Sequence, residues 1–532
     1  MAIEKVIVKN YRALREAEIN FGAGVNIVVG DNEAGKSTLL EAINLALRCQ
    51  LNRRPAAYEL HPFMFNRDVV KEFIQSHKDK TFLPPPSILI ELYFRENEAV
   101  AEFEGVNNSL AVDKACGISF EVKLDEENFA EEYAAYVADV DALKDIPIEY
   151  YKIEWRSFAW GQTLSSQAIP IKSVLIDPSA ISNTYAANKY VVEILRDHLT
   201  KAERVHLDLS YRGMRESFQG DGRIGAVNDK LAAQTGEVTD KTLSVALDVT
   251  TRASWETGVL PHLDDIPLTL VGKGEQNSIK IKLAMAAADG CDLLLMEEPE
   301  NHLSHGNLGR LINHVANNCE GKQLIATTHS SYVLNKLGVE RVIMFDGESG
   351  VTLDDLPDTT KSYFKRLPGH DTLRMILARK SVLVEGPSDE LIVQKAYLQT
   401  YKKLPLQDGV EVISVGTSFK RFLDIAVRLN LDVSIVRDND GASAAKIALF
   451  DDYAGHDNIK ICIDTDDAAR TLEPQLLKFN GLDKLNTMLG KTCATDDEIL
   501  THMTANKTDS ALSLFEHADD IVVPDYIQNA IG

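Results

Sequence analysis

Hydrophobic and polar positions divide the chain into two stretches of α/β character, with a helical segment set into the first. Residues 1–8 alternate like a strand, and Val25–Val29 is a short apolar run of the kind that forms a buried strand. Residues 38–47 then carry apolar side chains at helical spacing. Residues 50–90 read as irregular, with Pro84, Pro85 and Pro86 marking a loop, and residues 87–94 alternate as a strand. Around 124–145, alanines and tyrosines recur among Glu126, Glu127, Glu131, Glu132, Asp139 and Asp141 as on a surface helix. From 172 to 260 the pattern is helical and amphipathic, with one helix starting at 190–195. A sheet needs none of this segment, so it reads as an insertion whose apolar faces pack on a second copy or back on the same chain. The expected units are therefore 1–171 and 261–350 around the insertion 172–260, a linker 351–377, and a second α/β unit 378–532.

Composition changes this picture little. A length of 532 residues accommodates two or three domains, and 45% hydrophobic with 26% charged residues describes a globular protein. No apolar run reaches the roughly 18–20 residues needed to span a bilayer, and the first residues lack a signal-peptide layout. Six cysteines are scattered without a C-x-x-C pair, which argues against a zinc site or a disulfide framework. A cytoplasmic location without membrane contact is expected. The net charge of −24 at first speaks against a nucleic-acid partner, but the charge is unevenly spread and does not decide the question. Residues 91–150, with 16 acidic and 4 basic side chains, supply half of that charge. Basic pairs such as Arg379-Lys380, Lys402-Lys403 and Lys420-Arg421 remain candidates for a phosphate backbone.

Chemistry enters between the first apolar run and the first helix. Residues 30–37 fit G-x-x-x-x-G-K-[ST], the phosphate-binding loop. Strand, glycine loop and helix start direct N–H groups and a helix dipole at a phosphate. Gly30, Asn32, Gly35, Lys36, Ser37 and Thr38 are the expected nucleotide contacts, with Lys36 on the β/γ-phosphates and Ser37 on Mg²⁺. A second apolar run, 293–296, ends in Glu297 and Glu298, then Pro299 and Asn301-His302-Leu303. Glu297 suits the metal through its waters, and Glu298 suits the base that orients attacking water. Residues 323–327 make another strand that leads to His329, a candidate γ-phosphate ligand. Upstream, Gly272-Lys273-Gly274 opens a helix and offers a further anion site at Lys273 and Gly274.

The C-terminal unit repeats the theme with acids. An apolar strand ends in Glu385-Gly386-Pro387-Ser388-Asp389, and another ends in Asp438-Asn439-Asp440. Acids at the ends of neighbouring parallel strands converge on one sheet edge, where open α/β folds bind ligands. Four such carboxylates need cations, and Mg²⁺ or Mn²⁺ is the natural occupant for an all-oxygen set. A metal pair there would clamp the attacking and leaving oxygens of a phosphodiester.

In order, phosphate loop, insertion, glycine loop, paired acids and histidine resemble the ABC-type ATPase heads of the RecF/SMC kind. Lys9-Asn10-Tyr11-Arg12 is similar to the N-terminal motif of DNA-repair ATPases. The resemblance implies that the glycine loop completes the nucleotide site of a second head. Here Lys273 stands where that family carries serine, and its cationic head would meet the γ-phosphate. The acids of the second unit resemble the Toprim domain, with Glu385, Asp438 and Asp440 at the metal positions and Asp389 at the extra acid of the nuclease branch. An ABC-type ATPase followed by Toprim resembles the OLD (overcoming lysogenisation defect) family, to which the Gabija nuclease subunit belongs. That likeness implies a further metal ligand at Glu473 and a lysine near the scissile phosphate at Lys507. It also implies ATP and Mg²⁺ as cofactors, DNA as substrate, a homodimer or higher homo-oligomer, and a helicase-like or reverse-transcriptase partner. The expected activity is ATP-regulated DNA nicking or cleavage in anti-phage defence. A repair ATPase whose Toprim unit only docks is the alternative. A topoisomerase would need a dedicated tyrosine domain, for which no stretch is left over.

Overall fold

The computed structural model describes residues 1–31, 33–51, 54–112, 114–139, 143–159, 164, 168–176, 192, 199–232, 244–245, 255, 259–260, 262–276, 279, 291–301, 304–318, 321–353, 356–366 and 372–532. Asn32, His302, Leu303 and most of the helix expected from 190 lie outside the described residues.

Two sheets enclose the first helix. One is antiparallel: Ile3–Tyr11 pairs with Leu14–Asn20 and Ile88–Phe94, and Ala115–Leu124 joins Ile88–Phe94 to Tyr151–Ser157. The other runs in the order Ser173–Ile176, Leu293–Glu297, Gln323–Thr327, Val25–Val29, Val342–Phe345, all parallel, with Gly350–Thr352 antiparallel at its edge. Four of these strands are near-continuous apolar runs because a parallel sheet is covered on both faces. Helix Lys36–Arg48 buries Leu39, Leu40, Ile43 and Leu47 between the sheets, and Trp155 Nε1 donates to Ala46 O at 2.7 Å.

Three sequence expectations change. Residues 50–90 are not irregular throughout: Arg67–Lys78 is a helix, capped by Asn66 Oδ1, which accepts from the Asp68 and Val69 N–H groups. The insertion cannot begin at 172, because Ser173–Ile176 hydrogen-bonds along Leu293–Met296 as the sheet's edge strand. Residues 351–377 are no passive linker. They contain helices Asp358–Arg366 and Thr372–Leu377, whose Phe364, Leu373, Met375 and Ile376 are buried.

The C-terminal unit is a four-stranded parallel sheet in the order Val410–Ser414, Lys380–Val384, Val433–Arg437, Ile459–Ile463. Its core is continuous with that of the ATPase sheet: Ile27, Val29, Leu294 and Ala326 belong to one cluster with Phe364, Leu383, Ile413, Phe422 and Ile435. Phe364 meets Phe422 edge-on at 5.2 Å. Truncating such a buried ring costs about 3–5 kcal/mol, so the junction holds the two units together. Polar ties add to it. Tyr363 OH donates to Ser418 Oγ at 2.9 Å, and Arg428 Nε donates to Thr352 O at 3.1 Å. Among the described residues, no helix is long and apolar enough to cross a membrane.

Candidate active sites

The first site lies at the C-terminal ends of the parallel ATPase strands. Gly30 follows Val25–Val29 where a Cβ would stand 2.1 Å from Phe345 O, so only glycine fits beside the neighbouring strand. Gly35, with φ +86°, turns the loop into helix Lys36–Arg48. Lys36 is 5% exposed and its Nζ donates to Gly30 O at 2.8 Å and Asp31 O at 2.7 Å. Burial pulls its pKa below the ordinary lysine value, against the pull of Glu298 and Asp31.

A cavity of about 860 Å³ opens over this loop, lined by Lys36, Ser37, Thr38, Glu298, Glu300 and His329 among others. Glu297 ends its strand in register with Thr327. Glu298 has a left-handed backbone, φ +37°, which a non-glycine residue adopts at a cost and which marks functional turns. Its N–H donates to Thr327 O at 3.0 Å, its Oε2 accepts from Asn301 Nδ2 at 2.7 Å, and its Oε1 lies 3.3 Å from His329 Nε2. Glu300 Oε1 accepts from the His329 N–H and from Thr328 Oγ1, fixing the turn that presents the imidazole. The structure thus joins Gly35, Lys36, Ser37, Thr38, Glu298 and His329 around one cavity. Lys273 stands exposed in a helical turn at 273–276 with Gly274 beside it, and Glu275 and Gln276 donate back to Gly272 O.

The second site lies at the C-terminal edge of the four-stranded sheet. Lys380–Val384 and Val433–Arg437 are neighbours, which sets Glu385 and Asp438 side by side. Asp389, in the first turn of helix Pro387–Tyr401, accepts from the Gly386 N–H at 3.1 Å. Glu473, almost wholly buried in the first turn of helix Leu472–Asn480, accepts from Thr471 Oγ1 at 2.7 Å and pairs with Lys507 at 3.2 Å. Burial pushes Asp438 up to about 8, with repulsion from Asp389, Glu385 and Glu473 adding to it. Burial likewise pushes Asp389 up to about 6. Burial opposes the charge on Lys507, but Glu473, Asp438 and Asp389 outweigh it and raise its pKa.

Asp440 is not drawn into this group. Its backbone turns left-handed at φ +52°, and its half-exposed carboxylate pairs with Lys446. Sequence reasoning also missed three neighbours. Arg437 Nε holds Glu385 Oε1 at 2.9 Å while its guanidinium lies over Phe419 and Phe450. Asp464 follows the fourth strand, an apolar run ending in acid like the other two. Tyr526, in the C-terminal helix Asp525–Ile531, has its pKa raised by burial first and then by Asp438, Asp389, Asp464 and Glu473.

The donor set fits a hard divalent cation. Asp438 Oδ1 is buried with no hydrogen-bond partner, and the acids around it repel one another. Among the described residues no three of these groups stand around a single ion position, and Glu385 and Glu473 are engaged by Arg437 and Lys507. One consequence is measurable without metal. Asp438 keeps its proton up to about pH 8 when folded but releases it near 3.8 when unfolded, so stability falls as pH rises across that interval. Thermal unfolding in EDTA is expected to show Asp438→Asn gaining on wild type in Tm from about pH 5 to about pH 8. A constant difference over that interval contradicts the arrangement.

Sheets and sites together define a P-loop ATPase joined to a Toprim domain. Family models agree. Residues 1–156 match the AAA ATPase domain, 185–335 the AAA domain described as putative AbiEii toxin of a type IV TA system, and 376–440 the overcoming lysogenization defect protein-like TOPRIM domain. The chain thus joins matches to AAA-type ATPase domains with a match to an OLD-like TOPRIM domain. It is 22% identical over 351 residues to an ATP/GTP phosphatase of Helicobacter pylori, covering 62% of this chain and 85% of that protein. It is 20% identical over 343 residues to the DNA replication and repair protein RecF of Lactobacillus acidophilus, covering 59% and 89%. A 45-residue match, 53% identical, to the DNA double-strand break repair Rad50 ATPase of Methanopyrus kandleri covers 8% of this chain and 5% of that protein. Among solved structures, the SMC head domain from Thermotoga maritima matches 66% of this chain and 99% of that chain at 15% identity and TM-score 0.29. The C-terminal region of the Xanthomonas campestris pv. campestris OLD protein matches 30% and 92% at 21% identity and TM-score 0.24.

Proposed function

We propose that this protein is an ATP-regulated, Mg²⁺- or Mn²⁺-dependent DNA endonuclease that acts as a homo-oligomer in anti-phage defence. The observation that carries the reading is the gathering of Glu385, Asp389, Asp438 and Glu473 with Lys507 at one sheet edge, around an unpartnered buried carboxylate oxygen. These four acids would hold the cation, which when bound supplies an activated water and neutralises charge on the phosphodiester. Lys507, kept protonated by its acidic neighbours, offers fixed positive charge to a phosphate oxygen. Tyr526, buried on helix Asp525–Ile531, lies close enough to these acids for their charges to raise its pKa.

At the nucleotide cavity, the N–H groups that start helix Lys36–Arg48 and the Lys36 ammonium bind phosphates. Glu298 receives a proton from water, and His329 and Asn301 hold its carboxylate in place. Exposed Val205, Leu209, Met214 and Phe218 on helix Lys201–Gln219 favour packing against a second copy. Lys273, exposed on its turn, then becomes available to that copy's nucleotide.

The RecF and Rad50 matches favour the second reading, a repair ATPase with a docking Toprim unit. Incubating supercoiled plasmid with the pure protein and Mn²⁺ separates the two. Nicked or linear product supports the endonuclease, whereas intact plasmid with brisk ATP hydrolysis supports the repair ATPase. Relaxed closed circles indicate a topoisomerase instead.

A further inference from the structure

A second large cleft, about 840 Å³, lies at the end of the ATPase sheet opposite the nucleotide cavity. Its wall includes Gly24 and Val25, where the phosphate-loop strand begins. It also includes Lys322 and Arg341, which immediately precede the strands Gln323–Thr327 and Val342–Phe345. Arg95, at the end of Ile88–Phe94, and Lys336 and Lys365, in the last turns of two helices, complete a ring of five basic side chains. Glu96 and Glu340 are the carboxylates that line it.

This balance is unusual for a chain of net charge −24. A polyanion approaches such a molecule only where the local field is reversed. Some of the basic side chains conspicuous in the sequence are engaged within the fold. Lys403 pairs with Asp408, Lys380 donates to Gly532 O, and Arg421 donates to Thr359 and Thr360. Lys336 and Lys365 also complement the negative ends of their helices, which accounts for two of the five cations. Arg341 ends the short helix Val339–Arg341 and pairs with Glu340 at 3.9 Å, and Arg95 donates to Phe21 O at 3.2 Å, so local contacts hold these cations at a cleft where five basic side chains face two carboxylates. Helix Asp358–Arg366, which carries Lys365, also packs on Phe422 of the Toprim unit through Phe364.

We infer that this cleft binds the phosphate backbone of duplex DNA and holds the substrate on the ATPase unit while the Toprim acids cut it. The inference rests on the nuclease reading for its purpose, but binding is measurable without cutting. Fluorescence anisotropy of a labelled duplex, with wild-type protein in EDTA, gives Kd as a function of salt. Replacing Arg341→Ala with Lys365→Ala, both exposed, is expected to lower the log Kd–log salt slope by about 2 and weaken binding on the order of tenfold at about 0.1 M salt. A control pair on the Toprim surface, Lys403→Ala with Lys491→Ala, is expected to leave the slope unchanged. ATP hydrolysis at the wild-type rate shows that the cleft variant is folded.

An unchanged slope in the cleft variant overturns the inference, even if wild type nicks plasmid. A reduced slope upholds it, even if no plasmid is cut, and the failure then belongs to the nuclease reading alone. Tripolyphosphate forms the other arm. If it binds wild type and not the cleft variant while DNA affinity is the same in both, the cleft serves a free polyphosphate, and the assignment to DNA is wrong.

Discussion

Replacement of Glu385 or Asp438 by alanine is expected to slow DNA nicking on the order of a hundredfold or more while ATP hydrolysis continues. These two acids follow adjacent central strands of the Toprim sheet and stand side by side at its edge. Asp438 has the buried oxygen without a partner, and Glu385 is among the acids that raise its pKa. Asp440→Ala is the discriminating companion. Its carboxylate is turned to Lys446, so its loss is expected to cost less than about tenfold. Plasmid nicking rates of the three variants, measured at saturating Mn²⁺, check the ranking. Equal losses at Asp438 and Asp440 would show that the loop rearranges when it binds metal.

The other large effect lies at the nucleotide. Glu298→Gln is expected to reduce ATP hydrolysis about 10²–10³-fold with nucleotide binding retained, since the amide keeps the shape but cannot accept a proton. The positive φ at Glu298 supports this ranking, because the backbone holds a strained turn that presents the side chain to the cavity. Single-turnover hydrolysis and binding of a fluorescent ATP analogue separate the two quantities. A variant that loses binding along with hydrolysis would make Glu298 a structural support of the loop instead.

The legibility of these sites in the sequence follows from how local their determinants are. The phosphate loop is contiguous, and its glycines answer to constraints within a few residues of themselves. Glu385 and Asp438 each terminate an apolar run of one parallel sheet, so pattern alone brings them to a common edge, and Glu298 follows an apolar run of the ATPase sheet in the same way. Asp440 shows where that reasoning stops. Three residues past the strand, the chain turns through a left-handed conformation, and periodicity does not foretell where the side chain goes. Arg437 was hidden for a similar reason. It reads as the polar end of a strand, and only the rings of Phe419 and Phe450, distant in sequence, aim it at Glu385.

Composition also misled at larger scale. Ser173–Ile176 is too short to register as a strand beside a long helical pattern, yet register with Leu293–Met296 gives it a place in the sheet. The segment 351–377 looked like a linker because of its acids and proline. Its Phe364, Leu373 and Met375 nevertheless fill the junction between the units. Five basic residues at the far end of the ATPase sheet come from well-separated segments, so no run of charge announces them.

That shared core ties the ATPase sheet to the Toprim sheet, and the proposal that nucleotide state governs DNA cutting rests on this connection. Plasmid nicking as a function of ATP concentration, in wild type and Lys36→Ala, tests it most directly. Wild-type nicking is expected to change with ATP while the variant, unable to bind the phosphates, stays flat. Identical curves for the two proteins at every ATP concentration would contradict it.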